Sequence, residues 1–430
     1  VNEMLLISRL ADEIPPMSVE AFESGRKRLL ARNRWVAARK VVRVLWFVAL
    51  AAVPISLAGL GFYFLDLQVY RTGGEAWLQG HALYVDFPGS LDGPRLPFTY
   101  PPIAAVIFSG LTFLPVWAAN SLVVVVNFLC LSVVSVLVTA RLTGRANVVW
   151  TVGPAVAVLG VALEPVISTF LFGQVNLVLM ALVVVDCLAV RDPRFRGLLV
   201  GVAAAIKLTP LVFLLYFLVR REWRAAAMML VAFAGMAVLG FLFAAKDSAE
   251  FWFHALLDPG RAGGLAYMAN QSLRGVLHRI NPGEHAESLL WLGLSLVVVT
   301  LAVVAAYRAR TEVAALTAIA TAGLLVSPVS WSHHWVWCVP AFLALGFTRT
   351  RWAWPTLGAL LVIFLVHPFT WLPSTGDKEM LWSWQEHVYG DAYTWVAIIG
   401  LVTAAFTATR PELSSAARAP RRGWTPRSRS

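Results

Sequence analysis

A few polar side chains in an otherwise apolar chain could do chemistry. Asp66 directly follows the first long apolar run. A carboxylate at the mouth of a span can take a proton from an attacking hydroxyl. It can also cap a helix end or pair with Arg71. Lys207 stands in Ala205-Ile-Lys-Leu-Thr-Pro210. A lysine in apolar surroundings is costly and usually functional in membranes. As a compact point charge it suits a phosphate. The competing reading, snorkelling to an interface, fits poorly with Pro210 so close by. His333 and His334 lie between Ser332 and the tryptophans Trp331, Trp335 and Trp337. One of them could donate to a phosphate or stabilise a leaving group, or both could be incidental members of an interfacial aromatic belt. Adjacent histidines point apart on a helix, and no acidic or cysteine partner is near in sequence, so the pair is not expected to bind a metal.

A second tier consists of Glu164, Gln174, Asn176, Asn270, Gln271 and Arg274. Amides and an arginine beside a cavity suit sugar hydroxyls or phosphate, and each could equally tie helix ends together. Asp186, flanked by apolar residues near a helix end, reads as structural. The chain has no phosphate-cradling glycine loop, no Asp-x-Asp pair and no His-Glu-x-x-His. That disfavours a soluble-type, metal-dependent nucleotide-sugar enzyme.

The elements that must position these groups are membrane spans. The chain has 430 residues, 59% of them hydrophobic and 14% charged. Many charge-free runs are long enough to cross a bilayer. A soluble domain would carry far more charge. The net charge of +11 gathers near the two ends and in short arginine-bearing turns between apolar runs. Such a distribution fits cytoplasmic loops and tails, with the basic segment Arg26 to Arg43 on an anionic leaflet. It gives no basic, aromatic-interleaved face for nucleic acid. Cys130, Cys187 and Cys338 show no paired spacing and read as small buried hydrophobes. The first apolar run begins near Val41, too far in and too long for a cleavable signal.

In chain order, residues 1–41 form a basic cytoplasmic segment, 42–408 one membrane domain, and 409–430 a basic, disordered tail. The run 42–63 is the first span, so 65–99 is a long outer loop carrying Asp66, Arg71, Glu75, Asp86, Asp92 and Arg95. A short, partly embedded helix starts at Pro101-Pro102. The run 197–219 is flanked by basic turns on both sides. It is therefore expected to be a re-entrant hairpin broken at Lys207 and Pro210, since irregular backbone at that depth must line a cavity or be buried in protein. The expected fold is all-α and polytopic, with about ten to twelve transmembrane helices, both termini inside and the polar motifs outside.

Several stretches together resemble family 87 glycosyltransferases, polytopic enzymes of the GT-C superfamily. They are Asp66-Leu-Gln-Val-Tyr70 with Gly73-Gly74, Leu96-Pro-Phe-Thr-Tyr-Pro-Pro102, Gly173-Gln-Val-Asn176, Ala205 to Pro210, Asn270-Gln-Ser-Leu-Arg-Gly275 and Ser327 to Trp335. The resemblance covers about residues 57–347. It implies transfer of a sugar from a polyprenyl-phosphate donor to a glycolipid acceptor, at the outer face of a bacterial plasma membrane. By pattern the chain is closer to the mannosyl branch, which acts on phosphatidylinositol mannosides, lipomannan or lipoarabinomannan. The resemblance implies Asp66 as the base and His333 or His334 at the donor phosphate; by their own charge Lys207 and Arg274 are expected to join the histidine there. Tyr70, Arg71, Tyr100, Gln174, Asn176, Asn270 and Gln271 are the expected sugar and acceptor contacts. No cofactor and no metal is expected. The rivals are an arabinofuranosyltransferase using polyprenyl-phosphate arabinose and, in another class, a lipid-linked sugar flippase. Transporters also carry intramembrane charge and broken helices, but they tend to show internal repeats, which this chain lacks.

Overall fold

The structure is a computed structural model that describes residues 64–85, 96–258, 261 and 263–407, with scattered positions between 23 and 52. Most of the expected first span over 42–63, the segments 1–41 and 409–430 apart from a few positions in the first, and Asp86, Asp92 and Arg95 lie outside the described residues. Among the described residues every regular element is a helix, and the only β-type pairing is an isolated antiparallel bridge between Asn270 and Trp331.

The first helix, α1 (Leu65–Gln79), starts at Asp66's own turn, and Phe64 before it takes a left-handed conformation at φ 40°. Next come α2 (Pro102–Phe108) and a tight turn over Ser109–Leu111. Two glycines in the middle of α1 let these pieces meet. A Cβ on Gly74 would lie 2.7 Å from the Ser109 backbone nitrogen, and one on Gly73 would lie 2.5 Å from the Phe98 ring. Glycine costs a helix interior stability, so the close approach explains its use here.

The bundle follows. Helix α3 (Val116–Thr143) packs along α4 (Ala146–Leu159) and α6 (Asn176–Leu188). Between these two, the chain bends by 71° into α5 (Glu164–Phe172). Then come α7 (Leu198–Ile206), a 3-10 stretch over Thr209–Phe213, and α8 (Leu214–Val219). Helix α9 (Trp223–Phe243) leads to α10 (Ala245–Phe253) and, after a loop, α11 (Leu273–Ile280). The long α12 (Glu284–Arg308) is followed by α13 (Glu312–Val326), a 3-10 stretch over Ser332–Trp337, α14 (Cys338–Gly346) and α15 (Ala353–Val366). The chain ends with α16 (Trp384–Gly390) and α17 (Ala392–Thr407), joined by a 74° bend.

Three of these helices, α3, α9 and α12, are each long and apolar enough to cross a bilayer, and up to five spans result if each bent pair counts as one. Among the described residues the other expected spans are present as apolar helices, many of them shorter than a full crossing. Pro210 and Pro328 mark breaks in the backbone, which is irregular where it approaches the polar residues. Helices α9 and α12 turn large side chains such as Val231, Leu242, Leu289 and Leu296 outward. In water that would be an aggregation hazard; against lipid it is the expected surface.

The basic turns meet at one end of the bundle. Glu222 receives Arg196 and, at 3.1 Å, Arg220. These two arginines flank the run 197–219, so its beginning and end share one carboxylate. The run therefore goes in and comes back, as the charge pattern requires. Arg220 also pairs with Glu312 at 3.0 Å, and Arg141 reaches the same Glu312 at 3.5 Å. This ties the end of α3 and the start of α13 to the hairpin. Asp186 accepts from the backbone nitrogens of Gly197 (2.7 Å) and Val200 (3.0 Å), capping α7 from the end of α6. An acidic group at a helix N-terminus is favourable, and the structural reading of Asp186 holds.

The packing at Gly74 yields a prediction. Gly74→Ala forces α1 away from Ser109 and lowers stability by about 1–3 kcal/mol, as overpacking does. Thermal unfolding in detergent measures it.

Candidate active site

The tip of the hairpin lies far from its paired arginines. Helix α7 stops at Lys207, whose backbone is extended at φ −148° and ψ 128°. The 3-10 stretch resumes at Thr209-Pro210. Proline restricts the residue before it and lacks a donor, which is why the helix breaks here. The break leaves the lysine side chain to neighbouring groups. Its Nζ is 3.2 Å from Asn176 Oδ1 and 3.0 Å from His334 Nε2, and it lies over the Tyr100 ring at 5.5 Å. With Lys207 as an ammonium, it donates to both. No carboxylate pairs with it among the described residues.

Each partner is itself held. Asn176 starts α6, and its Nδ2 donates to the His333 carbonyl at 2.9 Å, so its oxygen must face Lys207. Thr169 of α5 donates to the same carbonyl at 3.1 Å. His333 and His334 therefore have separate placements. The His333 ring is buried against Phe172, with centroids 5.2 Å apart, whereas His334 reaches Lys207 and lines the cleft beside it. Ser332, one residue before, donates to Glu164 at 2.7 Å, and Tyr393 of α17 donates to the other oxygen of Glu164 at 3.0 Å.

On the other side of Lys207 stands a second polar group. Tyr70 of α1 donates to Gln174 Oε1 at 2.7 Å and sits 2.8 Å from the Tyr100 hydroxyl. Gln174 in turn favours the charged form of the Asp66 carboxyl. Gly173 makes this approach possible. Its φ is +68°, and a Cβ there would lie 2.7 Å from Leu67 Cβ. Asn127 of α3 fixes the turn from below, donating to the Gln174 carbonyl at 2.9 Å. Asp66 lies in the first turn of α1, outside the spans. Burial pushes its carboxyl up to about 6, against the opposing effects of the Gln174 amide and the Lys207 charge. A carboxyl poised near neutrality fits the work of a general base.

The structure thus brings together Asp66, Tyr70, Tyr100, Gln174, Asn176, Lys207, His333 and His334. Four expected contacts are engaged elsewhere. Arg71 donates to the carbonyls of Leu111 and Leu114, closing the turn after α2. Asn270 is fully buried, giving Nδ2 to the Leu265 carbonyl and taking the Ser330 backbone nitrogen on Oδ1. Gln271 is equally buried, donating to the Gly390 carbonyl and accepting from the Tyr393 nitrogen. Arg274 pairs with Glu287 at 3.3 Å and stacks over Trp291. In this structure these four tie parts of the fold together and stand outside the group around Lys207. In sequence an amide that ties two loops looks the same as one that binds a sugar. Asn127 and Thr169 were missed. A lone amide inside an apolar span was an available signal for Asn127; nothing in sequence marks Thr169.

The cleft leads away from Lys207 between α6, α13 and the two 3-10 stretches. Its polar end is Asn176, Lys207, Ser330 and His334, and its length is apolar, with Met180, Val183, Phe213 and Leu324 among the walls. Fold and site define a helical, multi-pass membrane protein with one cationic end on an otherwise apolar cleft. The profile of glycosyltransferase family 87 matches residues 98–328. A polyprenol-phosphate-mannose-dependent alpha-(1-2)-phosphatidylinositol mannoside mannosyltransferase of Mycobacterium tuberculosis is 39% identical over 402 residues, covering 87% of this chain and 93% of its own. Its counterpart by name in Mycolicibacterium smegmatis is 37% identical over 425 residues, 89% of this chain and 94% of its own. This chain belongs to glycosyltransferase family 87. Among solved structures, ArnT from Cupriavidus metallidurans bound to undecaprenyl phosphate overlaps 84% of this chain and 71% of its own, at 18% identity and a TM-score of 0.43.

The raised Asp66 carboxyl has a consequence for stability. The folded protein holds this proton up to about pH 6, while the unfolded chain releases it near 3.8. Between these values the folded state binds more protons, so this group lowers stability as pH rises through the window. Asp66→Asn removes that slope. Thermal midpoints from pH 4 to 7 are expected to show the variant gaining on the wild type as pH rises, then levelling off.

Proposed function

We propose that this enzyme transfers mannose from a polyprenyl-phosphate mannose to a phosphatidylinositol mannoside, forming an alpha-1,2 link, with its active site on the outer face of the plasma membrane. The observation that carries the reading is Lys207. Its ammonium is held by two neutral groups at the polar end of an apolar cleft. Among the described residues no carboxylate pairs with it; an intramembrane cation so placed is costly, and a lipid-borne phosphate is the anion that offsets that cost. The names of the Mycobacterium tuberculosis and Mycolicibacterium smegmatis relatives support the choice of donor, acceptor and linkage over the arabinose alternative.

In this reading the phosphate rests on Lys207 and His334, and the prenyl chain lies along Met180, Val183 and Phe213. Asp66 takes the proton from an acceptor hydroxyl. The freed oxygen attacks the anomeric carbon on the face opposite the phosphate. The carbon–oxygen bond to the phosphate breaks, and prenyl phosphate leaves with the electron pair. The leaving group needs its charge met more than it needs a proton, and fixed donors in a dry site do this well. No step calls for a metal. The grouping of the basic turns at the end opposite Lys207 supports placing the site outside, under the positive-inside rule.

The test is transfer in vitro with polyprenyl-phosphate mannose and polyprenyl-phosphate arabinose in parallel, with EDTA, using mannoside and arabinan acceptors. Mannose transfer alone, unaffected by EDTA, is the expected outcome. Arabinose transfer, or flipping without transfer, contradicts the reading. Asp66→Asn is expected to reduce transfer by about a hundred- to ten-thousand-fold, the usual contribution of a general base. In the wild type, kcat/KM is expected to rise with pH through a limb near 6, where Asp66 ionises.

A further inference from the structure

Ser330 combines features that do not fit a purely structural residue. It is 1% exposed, yet its hydroxyl has no hydrogen-bond partner among the described residues. An unsatisfied buried hydroxyl costs about 1–3 kcal/mol. Its main chain, by contrast, is fixed on both sides. Its N–H donates to Asn270 Oδ1 at 3.0 Å, and its carbonyl accepts from the Gln271 nitrogen at 2.9 Å. Two residues earlier, the Pro328 carbonyl accepts from Ser272 Oγ at 3.0 Å. The sequence Asn270-Gln271-Ser272 therefore holds the turn 328–330 at three points and leaves the Ser330 hydroxyl with nothing to bond.

Two further observations give this hydroxyl a direction. Ser330 lines the cleft together with Lys207, Asn176 and His334. Neighbouring Ser327 also lines it, but its hydroxyl is already engaged, donating to the Val329 carbonyl at 2.8 Å. Of the ten buried side-chain polar atoms without a partner among the described residues, three lie in the short stretch 330–335: Ser330 Oγ, His333 Nε2 and Trp335 Nε1. Of these three residues only Ser330 lines the cleft, and since buried polar groups are otherwise almost always paired, its unmet hydroxyl indicates a binding role there.

We propose that the Ser330 hydroxyl is a ligand-contacting donor in this cleft, given to a phosphoryl oxygen of the prenyl-phosphate donor, and that Asn270 and Gln271 serve to hold it there. The inference rests on the donor reading of the cleft. It gives the two amides a function at one remove, through the backbone they fix. It also divides the work at the phosphate. Lys207 supplies the charge, and Ser330 supplies a directed hydrogen bond that distinguishes an oxyanion from hydrocarbon.

The prediction has opposite signs for stability and binding. Ser330→Ala deletes a hydroxyl that has no partner, so without ligand the full-length variant in detergent keeps or raises its thermal midpoint. Its dissociation constant for a prenyl monophosphate, read from thermal shift or calorimetry, rises about fivefold, as expected for one lost hydrogen bond. A prenyl alcohol of the same length is the control, and its binding is unchanged. Equal prenyl-phosphate affinity in wild type and variant overturns the inference while leaving the donor reading intact. A variant less stable without ligand also overturns it, because the hydroxyl then has a structural partner. Failure of the wild type to bind prenyl phosphate overturns both.

Discussion

One charge organises this end of the molecule: the Lys207 ammonium, held by an amide and an imidazole, with no carboxylate paired to it among the described residues. The helix is broken at this residue, whose backbone is extended. Breaking the helix frees backbone groups, which in a bilayer are tolerated only where protein or a polar cavity surrounds them. The surrounding pieces meet that demand. Asn176 opens a helix at the right height, the His333–His334 stretch is a 3-10 turn, and Glu164 anchors that turn through Ser332. The polar residues of this region are thus linked parts of one arrangement.

The opposite end supplies the counterpart. Glu222 clasps the two arginines at the base of the hairpin, and Glu312 joins it to α3 and α13. These ion pairs are partly exposed, and such pairs contribute little stability individually. Their role is geometric. They fix both ends of the hairpin at one level, so its tip is carried to a defined depth. Asp186 adds a cap that sets where α7 begins. The position of Lys207 against Asn176 and His334 follows from pairings made at the far end of the same segment.

Much of this was legible in sequence, for a physical reason. Charge is so costly in an apolar run that an isolated Lys207 or Asp66 stands out, and a run flanked by arginines on both sides can only be a hairpin if both flanks share a side. Gln174 and Asn176 were legible as amides beside a cavity and Tyr70 through the resemblance, and the three lie close together. Sequence does not separate a binding amide from a tying amide. Asn270, Gln271, Arg71 and Arg274 carry the right chemistry, and their partners in the fold are backbone carbonyls, backbone N–H groups and Glu287, which no local pattern reveals. Span lengths were also overread. Apolar runs such as 171–190 and 336–347 are interrupted by turns that serve the site, so the helices they form are shorter than the runs.

The central claim is that Lys207 anchors a lipid-borne phosphate. The most direct measurement compares binding of a prenyl monophosphate with that of the matching prenyl alcohol, in the wild type and in Lys207→Met, by calorimetry on the full-length protein in lipid nanodiscs. The wild type is expected to favour the phosphate strongly, and the variant to bind phosphate and alcohol alike. A variant that keeps the wild-type preference for phosphate contradicts the account.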